Sequence, residues 1–146
     1  MKSNIYIIIM VIVQSVSLSC YPTFANETRC DNSGKQWHRA QLPTEAISEV
    51  PSAGSLTVFR AILNVHGDMG FFVREDFSAG QHQASSRILL KSQGKWHTIF
   101  SGDVNLTDNP LVISNKTTHG FYNLCDPFPC CGQRPTTYHF DGSTYR

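Results

Sequence analysis

The stretch "RILLKSQGKWHTIF", residues 87–100, decides the fold class of this 146-residue chain. Two runs rich in aliphatic, β-branched and aromatic residues, "RILLKS" and "KWHTIF", flank the dipeptide Gln93-Gly94. A glycine in that place supplies the positive φ that a tight hairpin turn requires. The stretch therefore predicts two antiparallel strands joined by a turn at Gln93-Gly94.

Similar short runs recur through the rest of the chain, each bounded by Gly, Asn, Asp or Ser. They are "LTVFRAIL" (56–63), "GFFVRE" (70–75), "PLVIS" (110–114), "GFYNL" (120–124), "TYHF" (137–140) and "STYR" (143–146). A second turn is predicted at Asp141-Gly142, whereas "SAGQHQASS" (78–86) lacks an apolar period and is predicted to be a surface loop. The spacing predicts one mainly β domain from residue 56 to residue 146, built as an antiparallel sheet or a small blade-like sandwich.

Alternation along the predicted strand "KWHTIF" indicates which side chains point the same way. Successive side chains of a strand point to opposite faces, so Trp96, Thr98 and Phe100 are predicted to share one face. We expect Trp96 and Tyr122 to belong to the core rather than to a binding site.

The first 25 residues have the organisation of a secretory signal peptide. Lys2 precedes an unbroken apolar run from residue 5 to residue 13, and the small residues Thr23 and Ala25 stand before Asn26. The run is too short to cross a bilayer as a helix, which takes about 20 residues. We therefore predict cleavage after Ala25, export to the periplasm or the medium, and no integral membrane span.

A second cleavage site competes with the first. Cys20 follows "VSLS", which partly resembles a bacterial lipobox, and cleavage before it would leave a lipid-anchored chain. Ser17 stands where the lipobox usually has leucine, so we favour cleavage after Ala25. Either cut leaves four cysteines for the folded protein.

The segment from residue 26 to residue 55 is polar and contains two prolines. We predict an irregular N-terminal extension that Cys30 tethers to the β domain. Within it, "PTEAISEV" predicts a short helix from Thr44 to Glu49, with Thr44 as its N-cap.

The four remaining cysteines predict disulfide bonds, because an exported chain reaches an oxidising compartment. They are Cys30, Cys125, Cys130 and Cys131. Joining the adjacent pair Cys130 and Cys131 would strain the peptide between them. The two other pairings both join Cys30 to Cys130 or Cys131 and close a small ring from Cys125 to the remaining member, and the sequence does not choose between them.

Metal, redox and catalytic sites are less well supported than disulfides. The spacing C-x4-C-C is not the C-x2-C of a zinc knuckle or a redox motif, and no G-x-S-x-G accompanies the six histidines. The turn "NVHGDMG" (64–70) has His66 where a calcium loop needs a carboxylate, so it is predicted to be a plain turn. We expect no metal, no cofactor and no enzymatic activity.

The charge balance also excludes one class of partner. Without Lys2 the basic residues number 12 − 1 = 11, against 11 acidic residues. Nucleic-acid binding needs a concentration of positive charge that this balance does not provide, and we predict none.

The stretch "LCDPFPCCGQRP" (124–135) is the predicted binding loop. Its prolines fix backbone torsions, and a stiff loop loses little conformational entropy on binding. We predict that Phe128 and Arg134 contact a partner, with Pro127 and Pro129 holding Phe128 at the loop tip.

The C-terminal half resembles a group of small exported bacterial proteins of uncharacterised function. The resemblance rests on "GKWHTIF", "PLVISNKTTHGFYNL" and "YHFDGSTYR", which are similar to that group's G-x-W, G-[WY]-x-[DN]-L and Y-x-F-D-G-x-x-Y motifs. It covers residues 60–146 and implies a β architecture without implying an activity.

These features favour an exported, non-enzymatic binding protein. The hypothesis is an inhibitor or immunity-type protein that acts on an enzyme of the cell envelope. The alternative is a structural or envelope-maintenance protein with no enzyme target.

Overall fold

The computed structural model describes residues 30–31, 33–50, 54–76, 83–105, 110–127 and 135–146. The predicted signal peptide therefore lies outside the described residues. The strands are β1 His38–Arg39, β2 Ser55–Ile62, β3 Met69–Asp76, β4 Gln83–Ser92, β5 Lys95–Asn105, β6 Val112–Thr118, β7 Phe121–Asp126 and β8 Thr136–Tyr138. Among the helices in these ranges, none is long and apolar enough to span a membrane.

The described strands form two antiparallel sheets, as the sequence predicts. One sheet has the order β1-β2-β3-β4-β5 and the other has the order β6-β7-β8. The main core lies between them and contains large side chains of both sheets, such as Phe72 of β3 and Leu124 of β7, which are fully buried. Burial of such side chains is the main favourable contribution to folding.

The opposite face of the larger sheet is covered by the N-terminal extension. Its helix spans Thr44–Glu49, as predicted, and is a 3₁₀ helix. Ala46 and Val50 pack there against side chains of β2, β3 and β4. The predicted cap is wrong: Pro43 occupies the N-cap position, and no side chain caps the helix.

Two predicted turns are confirmed. Gln93 and Gly94 connect β4 to β5 with φ values of 52° and 77°. At the C-terminus the chain reverses at Asp141-Gly142, and Phe140 pairs with Tyr145. Hydrogen bonds to the carboxylate of Asp141 lower its pKa to about 2, and the bond from the backbone N–H of Thr144 has the largest effect.

The predicted shared face of Trp96, Thr98 and Phe100 is wrong for Phe100, because β5 contains a bulge between Thr98 and Phe100. Leu89 pairs with Thr98 and Ile88 pairs with Phe100, so Ile99 is an extra residue in β5. A bulge of this kind reverses the alternation beyond it. Trp96 therefore packs beside the helix, whereas Phe100 lies in the main core.

The predicted surface loop at residues 78–86 is wrong for its last four residues. β4 begins at Gln83, and both Ala84 and Ser86 are buried. Ala84 pairs with Val104 of β5, and the hydroxyl of Ser86 donates to the carbonyl of Ala84. Small residues fit this part of the interior without producing an apolar period in the sequence.

Candidate functional site

The predicted binding loop connects β7 to β8. β7 ends at Asp126 and β8 begins at Thr136, and these two residues pair with each other, so the predicted loop, residues 127–135, joins two paired positions. Pro127 is half-buried at the start of the loop. The predicted contact residues Phe128, Pro129 and Arg134 lie outside the described residues.

The base of this loop is fixed by a disulfide bond between Cys30 and Cys125. The bond joins positions that are 95 residues apart, and the Cα atoms are separated by 5.7 Å, within the normal range for a disulfide. Cys125 and the next residue, Asp126, are each 3% exposed. Burial raises the pKa of Tyr138, and the charge of Asp126 raises it further.

The observed bond corrects the predicted pairing. Cys30 bonds to Cys125 rather than to Cys130 or Cys131, so Cys125 cannot close the small predicted ring. The physical reason is that Cys125 lies within β7, close to the path of the N-terminal segment. Cys130 and Cys131 lie outside the described residues.

We call residues 30–40 the strap, because this segment runs along the smaller sheet from the disulfide to β1. The backbone N–H of Ser33 donates to the carbonyl of Ile113 over 3.0 Å, and its hydroxyl donates to the same oxygen over 2.6 Å. Further along, the indole N–H of Trp37 donates to the carbonyl of Leu111 over 2.8 Å. The strap then joins the larger sheet as β1, so it connects the base of the loop to the edge of that sheet.

A groove of about 670 Å³ lies where the strap meets β2. Basic side chains of Lys35, His38 and Arg60 line it, and no described lining residue is acidic. The ammonium of Lys35 sits 4.2 Å from the ring centre of Tyr122, which holds it in place. Sequence reasoning missed this groove because its residues belong to distant parts of the chain.

Exposed apolar side chains cluster beside the groove. Ile62 and Met69, which both line it, are 44% and 40% exposed, and Val65 in the adjacent turn is 56% exposed. Among the described residues, Ile47 is the one other large apolar side chain with comparable exposure. A local concentration of exposed apolar surface is typical of interaction sites.

The turn "NVHGDMG" is organised by the side chain of Asn64. Its carbonyl accepts hydrogen bonds from the backbone N–H groups of His66 and Asp68, at 3.1 Å and 2.9 Å. Its amide donates to the carboxylate of Asp68 over 2.7 Å. The carboxylate of Asp68 is thus hydrogen-bonded within the turn. The side chain of Asn64 takes the place of the backbone groups that stabilise other turns.

Within the described ranges, no three His, Cys, Asp or Glu residues form a group that could hold a metal ion. A second cavity, of about 470 Å³, is lined by His97 and by hydroxyl groups such as Ser92 and Ser143. Elsewhere, His139 Nδ1 lies 3.5 Å from the hydroxyl of Thr118 at an exposed position. Neither place combines a buried nucleophile with a base and an orienting carboxylate among the residues described.

In the part of the chain that the structure describes, the fold is a small, disulfide-bonded pair of antiparallel sheets. Comparison of the chain with known protein families, with curated proteins and with solved structures finds no match.

Proposed function

We propose that this chain is an exported binding protein without enzymatic activity, of the inhibitor or immunity type, whose partner is an enzyme of the cell envelope. The proposal rests on one observation, which is that strand pairing and a disulfide bond fix the two ends of the loop. The loop lies between the paired residues Asp126 and Thr136, directly after Cys125, which is buried and bonded to Cys30.

A loop held in this way suits protein recognition. Its ends lose little freedom when a partner binds, because pairing and the disulfide have already restricted them. The loop sequence carries Phe128 and Arg134, and aromatic and arginine side chains often dominate the energetics of interfaces. These features favour a contact surface over a simple connection between strands.

The disulfide supports export to the periplasm or the medium. Disulfides persist in oxidising compartments and are rare where thiols are kept reduced. The bond also occupies Cys30 and Cys125, so neither sulfur can act as a thiolate nucleophile. Cleavage of residues 1–25 remains part of this proposal.

The loop's role is tested by replacing its two expected contact residues together. Immobilised mature protein is incubated with envelope extract, and each retained enzyme is identified and assayed with and without the added protein. We expect the wild-type chain to retain one enzyme and inhibit it. The variant Phe128→Ala/Arg134→Ala should bind at least about tenfold more weakly, because truncating interface anchors costs about 2 kcal/mol or more.

A matched control changes two residues on another surface. Lys91→Ala/Lys95→Ala alters the exposed β4–β5 hairpin and should leave retention and inhibition unchanged. Equal retention by the loop variant and the wild type would exclude the loop as the contact surface. Turnover of substrate by the purified protein itself would contradict a non-enzymatic role.

A further inference from the structure

The outer edge of β2 is only partly covered by β1. β1 pairs with Phe59 and Arg60, and the backbone N–H of Ala40 donates to the carbonyl of Val58. Alternate residues of an antiparallel strand direct their backbone groups to the same side, so Ile62 faces the same edge as Val58 and Arg60. Among the described residues, no strand pairs with Ile62 on this edge, although Asn64, two residues further on, pairs with Phe121 of β7.

The path of the strap explains why the edge is open there. The residue before β1, Trp37, turns into the main core, where it is 6% exposed and bonded to the carbonyl of Leu111. Its ring also packs edge-on against Phe72, with ring centres 5.7 Å apart. The strap therefore cannot continue along β2 past Arg60 without removing Trp37 from the core. The groove occupies the space that remains.

The chemistry of the groove indicates the type of segment that fits it. Ile62 and Met69 are cross-strand partners and present apolar surface beside the open backbone. Lys35 and Arg60 add positive charge, and neither takes part in the salt bridges found among the described residues. An exposed strand edge is a template for an added strand, and complementary charge selects which strand is added.

We propose that this groove binds an extended, acidic segment of a partner protein, which pairs with the outer edge of β2 beyond β1. Backbone hydrogen bonds form at Ile62, an apolar side chain of the segment contacts Ile62 and Met69, and its carboxylates face Lys35 and Arg60. Recognition by strand addition takes affinity from the main chain and specificity from alternate side chains. The site is independent of the loop at residues 127–135, so either proposal can fail without the other.

The probe for this site is a synthetic peptide with the repeat Glu-Glu-Val-Val, blocked at both ends, because this order places Glu and Val next to each other on each face of an extended strand. Isotope-labelled mature protein is titrated with it and followed by NMR. We expect the backbone amides of Arg60, Ile62 and Met69 to shift, and the affinity to fall as salt is added. A peptide with Lys in place of Glu should leave these amides unshifted.

Charge reversal tests the groove directly. Lys35→Glu/Arg60→Glu should weaken binding of the Glu peptide by about tenfold or more and should allow the Lys peptide to bind. Lys91→Glu/Lys95→Glu makes the same change of charge on the β4–β5 hairpin and should leave both affinities unaltered.

Three results would overturn the proposal. The first is the absence of shifts at Arg60 and Ile62 at saturating probe concentrations. The second is equal binding of the Glu and Lys peptides. The third is a dimer in the wild-type protein that the charge-reversal variant abolishes, because a second copy would then be the occupant of the groove.

Discussion

Replacing Cys30 and Cys125 together with alanine is expected to lower the free energy of unfolding by about 4 to 5 kcal/mol. The bond links positions 95 residues apart, so its removal restores a large amount of conformational freedom to the unfolded chain. Changing both residues avoids leaving a free thiol that could pair elsewhere. Urea unfolding of the wild type and the double variant measures the difference.

Ser33→Ala provides the matched control, because Ser33 lies in the strap a few residues after Cys30. It removes the hydroxyl bond to the carbonyl of Ile113 and should cost about 1 kcal/mol. The two variants thus separate the covalent link from the local contacts of the strap. A double cysteine variant that loses no more stability than Ser33→Ala would contradict a stabilising role for the disulfide.

Gly70→Ala is expected to destabilise the protein by about 3 kcal/mol, as overpacking in a filled core does. A Cβ at this position would lie 2.8 Å from Cγ of Leu63, would clash with its Cδ1, and would lie 3.5 Å from Cγ2 of Ile88. Both neighbours are fully buried, so neither can move into solvent. Thermal and urea unfolding measure the loss.

Gly54→Ala is the control for the effect of the substitution itself. The nearest atom to a Cβ at Gly54 is the carbonyl oxygen of Asp76, 3.9 Å away, which is an ordinary contact. The change should alter stability by no more than about 0.5 kcal/mol. If the two variants unfold alike, the close approach of Leu63 to β3 does not require a glycine at position 70.

The sequence predicts best those features that depend on neighbouring residues. The turn at Gln93-Gly94 follows from two adjacent residues, and both have the positive φ values that the turn needs. Local residue types likewise predict the helix Thr44–Glu49, although the predicted cap, Thr44, is wrong. In each case the short-range chemistry of the chain agrees with the final fold.

Features that depend on the packing of distant elements could not be predicted in this way. The bulge at Ile99 places two successive residues in the interior, and nothing in "KWHTIF" signals it. The bond of Cys30 depends on where the strap crosses the smaller sheet, which is decided by contacts such as Ser33 to Ile113. Counting cysteines predicts that disulfides form but not which partner each one takes.

The two candidate surfaces differ in whether the sequence alone reveals them, and the reason is again the distance along the chain between their residues. The loop at residues 127–135 is continuous in sequence, so its composition alone suggests a contact surface. The groove combines Lys35 of the strap, Arg60 of β2 and Met69 of β3, and only the fold brings these residues together. A search for motifs cannot find a site of that kind.

Peptide mapping under non-reducing conditions, on protein purified from the envelope fraction of cells that produce it, tests the central claim most directly. The account predicts a chain that begins at Asn26 and a cross-linked fragment that joins Cys30 to Cys125. A chain that retains Met1 and carries alkylatable thiols at both positions would contradict export and the disulfide-fixed binding surface together.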